Sequence, residues 1–181
     1  METDYTKIKI HPLFEPIKRM FEFVIVGNGF MAMPDFQRAF LAVNPAAKPI
    51  IDDYNKQVNL RVKGSKIHTN IQPYLVYLGR LMAVAIFDFL QFSEYNSRLS
   101  QTDIFKFAKH IRNGAAHNNK FFFDAKSKRE LLKKTIQWSD KVIDISLSGK
   151  TVVPDFINAF SLLYLIQDIS KIIESKSITK E

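Results

Sequence analysis

Apolar positions recur along most of the chain with the period of a helix. From Leu13 to Val26 the residues Phe14, Ile17, Phe21 and Val24 or Ile25 fall at helical spacing, and the pattern stops at Gly27-Asn28-Gly29, which predicts a first helix ending there. Pro34 opens a second helix: proline suits a first turn, Phe36, Phe40 and Val43 share a face, and Asn44-Pro45 ends it. Residues 45–72 have no clean period and carry Lys56, Arg61, Lys63 and Lys66 with no acid after Asp53, so they read as a basic loop or short hairpin. Pro73 begins the longest helix, to about Phe92. Its apolar stretch is interrupted by Arg80 and Asp88, leaving only Leu81 to Phe87 unbroken. That is well short of the roughly 18 residues that span a bilayer, and a buried core helix is expected.

Ser100 or Thr102 with Asp103 caps the next helix, where Ile104, Phe107 or Ala108, Ile111 and Ala115 form an apolar stripe. Lys106, Lys109, His110 and Asn113 fall off that stripe and Arg112 lies beside it, so the polar edge is expected to face a cleft or a partner. His110 reads as a helix-surface residue. After His117 comes the turn-like Asn118-Asn119-Lys120, then Phe121-Phe122-Phe123, and a helix from about Ser127 to Thr135. Ile136 to Val153 alternates around Ser148-Gly149, which suggests a hairpin. Asp155 is expected to cap a last helix, Phe156 to Ile173, and residues 176–181 to fray. The fold class is therefore mainly α, with one helical domain over residues 1–175. It is expected as a bundle of four to six helices with a small extended or hairpin insertion around 121–153.

Composition narrows the chemistry. At 181 residues and 46% hydrophobic content the chain can bury a core of its own. It has no cysteine, which excludes disulfides, thiolate metal sites and a cysteine nucleophile. The four histidines, His11, His68, His110 and His117, show no paired metal-ligand spacing, so no metal or other cofactor is expected. The start lacks the basic end and apolar run of a secretory signal, which predicts a cytoplasmic protein without a membrane partner. Net charge is +8, and from Phe105 to Lys134 nine Lys or Arg residues stand against two acids. RNA or another polyanion is the partner this favours, although a solvated basic face has the same composition.

Within that segment, Arg112-Asn113-Gly114-Ala115-Ala116-His117 places a cation, an amide and an imidazole close together. A guanidinium can clamp a phosphate with its planar fork, and imidazole moves protons near neutral pH. Asn113 and His117 are four apart and share a face of a continuous helix. Arg112 is about 100° from Asn113 and about 140° from His117, so the three converge only if the helix loosens or a second copy contributes. Gly114 would permit the first, and a two-fold dimer would supply the second. In a plainer reading Asn113-Gly114 merely caps a helix, with Arg112 and His117 on the surface.

These residues resemble the HEPN family (higher eukaryotes and prokaryotes nucleotide-binding), whose ribonuclease members carry Arg, four to six residues and then His, usually with a polar residue such as Asn after the Arg. The resemblance implies a helical bundle and a metal-independent endoribonuclease. The enzyme would be active as a homodimer with a composite site, often within toxin–antitoxin, abortive-infection or other antiviral defence systems, with an antitoxin or defence partner protein. Arg112, Asn113 and His117 are the implied catalytic residues. His117 would serve as general base or acid, Arg112 would stabilise charge on the phosphorane-like oxygens, and Asn113 would orient the phosphate or the ring. Lys109, Lys120, Lys126, Lys128, Arg129, Lys133 and Lys134 would hold flanking phosphates of RNA. Family toxins paired with nucleotidyltransferase antitoxins often have Tyr two positions after the His. Here that position is Asn119, so control by nucleotide transfer is not expected.

Other matches carry less. Arg61 and His68 also fit the loose spacing, but Val62 replaces the polar residue and the intervening residues are loop-like. Ser148-Gly149-Lys150-Thr151 lacks the upstream glycine of a phosphate-binding loop. The triple Phe, with Tyr54, Tyr74 and Trp138, reads first as core and second as stacking platforms for single-stranded RNA. The rival to a nuclease is a non-catalytic HEPN-like module that binds a protein or RNA. A DNA-binding repressor would need a helix-turn-helix register that the chain does not show.

Overall fold

In the computed structural model, which describes residues 8–63, 66–68 and 70–175, the chain is mainly α-helical. A turn at Pro12–Phe14 leads into α1 (Glu15–Met31), α2 (Pro34–Val43) and α3 (Lys48–Gln57). A hairpin of β1 (Arg61–Lys63) and β2 (Lys66–His68) then leads to α4 (Gln72–Phe92), the one-turn α5 (Asn96–Leu99) and α6 (Asp103–Ala116). α7 (Ala125–Lys133), the antiparallel pair β3 (Ile136–Trp138) and β4 (Lys141–Ile143), and α8 (Ala159–Ser175) complete the chain.

Helix α4 organises the rest. Its 21 residues would extend about 31 Å, and Leu78, Met82, Ile86 and Leu90 recur along one buried face. Helices α6 and α8 pack on it, and α6 runs antiparallel, with Phe87 against Phe105 at 5.1 Å, Asp88 meeting Arg112 and Arg80 meeting Ala115. Helix α8 adds Leu162, Leu165, Ile166, Ile169 and Ile173, so one continuous apolar cluster runs from α1 through α4, α6 and α8 to the β3–β4 pair. By composition alone α4 is the one helix among the described residues long and apolar enough to cross a membrane. Its most apolar face, however, is the one α6 and α8 cover, as expected of a core helix.

Several elements differ from the sequence expectation, each for a tertiary reason. α1 runs through Gly27-Asn28-Gly29 to Met31: the Asn28 amide donates to Val24 O at 2.7 Å, Tyr54 Oη donates to Asn28 O at 3.1 Å, and Phe30 packs on Phe36. These contacts outweigh a glycine cost of about 1 kcal/mol per residue. Residues 45–72 hold the expected hairpin but also α3, whose buried side is only Ile51 and Tyr54 with Val58 just beyond, too sparse a stripe to read. The later hairpin turns at Ser139-Asp140 and not at Ser148-Gly149. Ser148-Gly149 instead follows a short turn at Ile145–Leu147 and sends the chain back beside Lys120, where Thr151 bridges to it. The last helix starts at Ala159, with Asn158 Oδ1 accepting from Ser161 N at 2.8 Å, so Asp155 is not its cap. The four to six helices expected become eight among the described residues, with α3 and α5. The fraying expected of residues 176–181 lies outside the described residues.

Candidate functional site

The motif ends a regular helix. Thr102 Oγ1 accepts from Phe105 N at the start of α6, and the last turn closes with His117 N donating to Asn113 O at 3.0 Å. The helix therefore does not loosen at Gly114. That glycine serves close approach: a Cβ there would lie 2.4 Å from Val152 Cγ2 and 3.3 Å from Lys120 O. Gly79 on α4 does the same for Val153, whose Cγ1 would be 2.9 Å from an added Cβ. Consecutive valines of the returning segment thus seat on the backbones of α6 and α4. Asn119 secures that segment, because its amide exchanges hydrogen bonds with both backbone groups of Val153 and its carbonyl accepts from Val152 N at 3.0 Å. Asn118 and Asn119 both have positive φ, 54° and 59°, a region that asparagine tolerates better than most residues.

The three expected catalytic side chains do not converge within one chain. Arg112 turns toward α4, where Nε lies 3.3 Å from Asp88 Oδ1 and both side chains are about a third exposed (33% and 34%). The pair fixes the guanidinium but uses only Nε, leaving the four Nη hydrogens for a phosphate. Next to it along the α4–α6 groove, Arg80 Nε donates to Ala115 O at 3.1 Å, answering one of the carbonyls that a helix end leaves without a partner. Tyr77 and Leu81 of α4 stand exposed beside Ala116, and Phe92, 83% exposed, lies beyond Asp88. His117 lies on the other flank. Its backbone has left the helical region (φ −98°, ψ 81°), and its exposed ring borders a depression of about 470 Å³ with Asn118, Lys120, Phe122, Ser148 and Gly149. Among the described residues no carboxylate lines that depression. Asn113 is half-buried between the flanks.

Of the expected phosphate contacts, Lys120 is exposed at the His117 depression. Lys109 is exposed near Asp124, whose carboxyl is held below its ordinary range first by hydrogen bonds from Ser127 and further by Lys109. Lys126, Lys128, Arg129 and Lys133 are exposed on α7, which packs against Ile145–Leu147 behind the depression's wall. Lys134 is committed to Asp103 at 2.7 Å, at the start of α6 and about 20 Å of helix from His117. His110 is not a surface residue. Only 6% exposed, its ring forms a T-shaped pair with Phe123, the centroids 5.4 Å apart, and burial pushes its pKa down, with Lys109 adding to the effect against Glu130 and Asp124.

Sequence reasoning missed Asp88 and Arg80 as parts of this region. Their signal was present: two charges inside an otherwise apolar core helix need partners. Phe121 and Phe123 are core as expected, and Tyr54 is buried, whereas Phe122 between the two phenylalanines is 65% exposed. The chain matches no protein-family model, no curated protein and no solved structure at a significant level.

Proposed function

We propose that this chain is a HEPN-like, metal-independent endoribonuclease that acts as a homodimer. What carries the reading is the division at the end of α6. An exposed imidazole borders a cationic depression with no acid among its described lining residues on one flank, and a guanidinium about a third exposed, anchored through Nε alone, stands on the other. The exposed Tyr77 and Leu81 beside Ala116, with the exposed Phe92 beyond Asp88, offer apolar surface that a second copy would cover, bringing two copies of the motif to one cleft. In that cleft one His117 takes the proton of a ribose 2′-hydroxyl as its oxygen attacks phosphorus. The P–O5′ bond breaks, and the partner's His117 delivers a proton to the leaving 5′-oxygen. Arg112 stabilises the charge on the non-bridging oxygens. The products are a 2′,3′-cyclic phosphate and a 5′-hydroxyl, and DNA is inert. A defence or toxin role, with a neutralising partner, accompanies this reading.

The Arg112–Asp88 ion pair favours a second reading, a non-catalytic module in which Arg112 is structural. Cleavage of single-stranded RNA in EDTA separates the two. Wild type should cut, and Arg112→Ala and His117→Ala should not. Intact RNA with wild type, or equal cutting by all three, would establish the module instead.

A further inference from the structure

We propose that the depression beside His117 is a nucleotide subsite for single-stranded RNA, in which the Phe122 ring stacks a base while Lys120 and Lys150 hold its phosphates. The assignment deepens the ribonuclease reading and rests on it for the identity of the bond cut nearby.

Four observations converge on it. First, residues 121–123 are extended, so side chains alternate: Phe121 packs on Phe156 at 5.0 Å, Phe123 on His110, and Phe122 is left projecting from a firmly anchored backbone. Second, that backbone is tied to the returning segment on both sides, with Phe121 N donating to Lys150 O at 2.9 Å and Gly149 N donating to Phe121 O at 2.8 Å, so the ring's mount is fixed before any ligand arrives. Third, the depression has about 470 Å³, within the roughly 300–1,000 Å³ of small-molecule sites, and continues past Lys120 and Gly149 into a second of about 430 Å³ that Lys150 lines. Gly149, at φ 80° with nothing within 4 Å of the place its Cβ would occupy, leaves the wall between the two low and open. Fourth, the charge is of one sign at the histidine end. Lys120 and Lys150 form no ion pair among the described residues; Asp155 lines the second depression and Asp144 feels the charge of Lys150, and neither is among the residues lining the first. An isolated exposed phenylalanine suits an apolar protein partner equally. One flanked by an imidazole and Lys120, over a depression with no acid among its described lining residues, suits a base, and Lys150 in the adjoining depression suits the phosphate that follows.

A fluorescein-labelled, fully 2′-O-methylated RNA decamer, which cannot be cleaved, measures the subsite by anisotropy. Phe122→Ala should weaken binding about ten-fold, within the range for loss of one stacked base. Phe122→Trp should restore it, and the fluorescence of the new indole should be quenched by the RNA. Lys150→Ala should lower the slope of log affinity against log salt by about one. Both positions are exposed, so the fold is not at stake. Unchanged affinity for Phe122→Ala, or an unquenched tryptophan at saturating RNA, would overturn the subsite and leave Phe122 as a protein contact. Wild type that binds with these dependences but cuts no unmodified RNA would keep the subsite and refute the nuclease reading. Wild type that cuts RNA but binds it independently of Phe122 would do the reverse.

Discussion

The two flanks of the α6 terminus carry the two halves of the motif and are built differently. On the Arg112 side Asp88 holds Nε of the guanidinium and Arg80 answers Ala115 O, and beside the partly exposed guanidinium the large exposed side chains are apolar. On the His117 side the apolar residues Phe121 and Phe123 are buried, and what remains exposed is an imidazole, lysines and one ring. The first has the composition of a face awaiting another protein surface, the second that of a face awaiting a polyanion. In the proposed enzyme, one helix end would present a dimerisation edge and a substrate edge side by side. The residues between them, Gly114 and Asn119, bind the scaffold together and are not part of the chemistry.

The largest effect that can break this division is on catalysis. His117→Ala should reduce RNA cleavage by about 10²–10⁴-fold, the usual contribution of a general acid or base. Arg112→Ala should reduce it by about 10²–10³-fold, as for loss of one charge-stabilising donor. Single-turnover rates on unmodified RNA read both, and loss at only one flank would mean the other is not part of the site. Next is the scaffold between them. Gly114→Ala forces the stiff, fully buried Val152 aside and should destabilise the fold by about 1–3 kcal/mol in urea denaturation, despite alanine's better helix propensity. A neutral or stabilised variant would show that the returning segment is not clamped there.

A smaller effect is set by His110. Its folded-state pKa is lowered, so the unfolded chain takes up the proton first as pH falls. Stability is therefore full above about pH 6.5 and declines as pH drops below it, and His110→Phe should flatten that decline in thermal melts. The smallest concerns the ion pair. At a third exposed, Arg112–Asp88 contributes about 0–1 kcal/mol, so Asp88→Asn should leave the melting temperature nearly unchanged. It should, however, raise RNA affinity at low salt by freeing the guanidinium. A large loss of stability would make Arg112 structural and merge the two flanks.

Periodicity read the long helices well. The α6 stripe Ile104, Phe107, Ala108, Ile111 and Ala115 is buried in full, and α2 and α4 begin and end within a residue or so of expectation. It failed where tertiary contacts override local signals. Tyr54 holds α1 helical across two glycines, and Asn119 and Gly114 capture a returning segment that alternation had made the second strand of a hairpin. In the site, the separation of Arg112 from His117 was legible, since helical angles alone set the two apart. The Asp88 partner, the burial of His110 and the projection of Phe122 were not, because each depends on which residues from distant segments cover a given face.

The rate of RNA cleavage per chain, measured in EDTA across protein concentrations that span association and paired with sedimentation in the same buffer, tests the central claim most directly. The account predicts a rate that rises with the dimer fraction and extrapolates to zero for the monomer. A monomer that cuts at a constant rate per chain, or a dimer that leaves RNA intact, would contradict it.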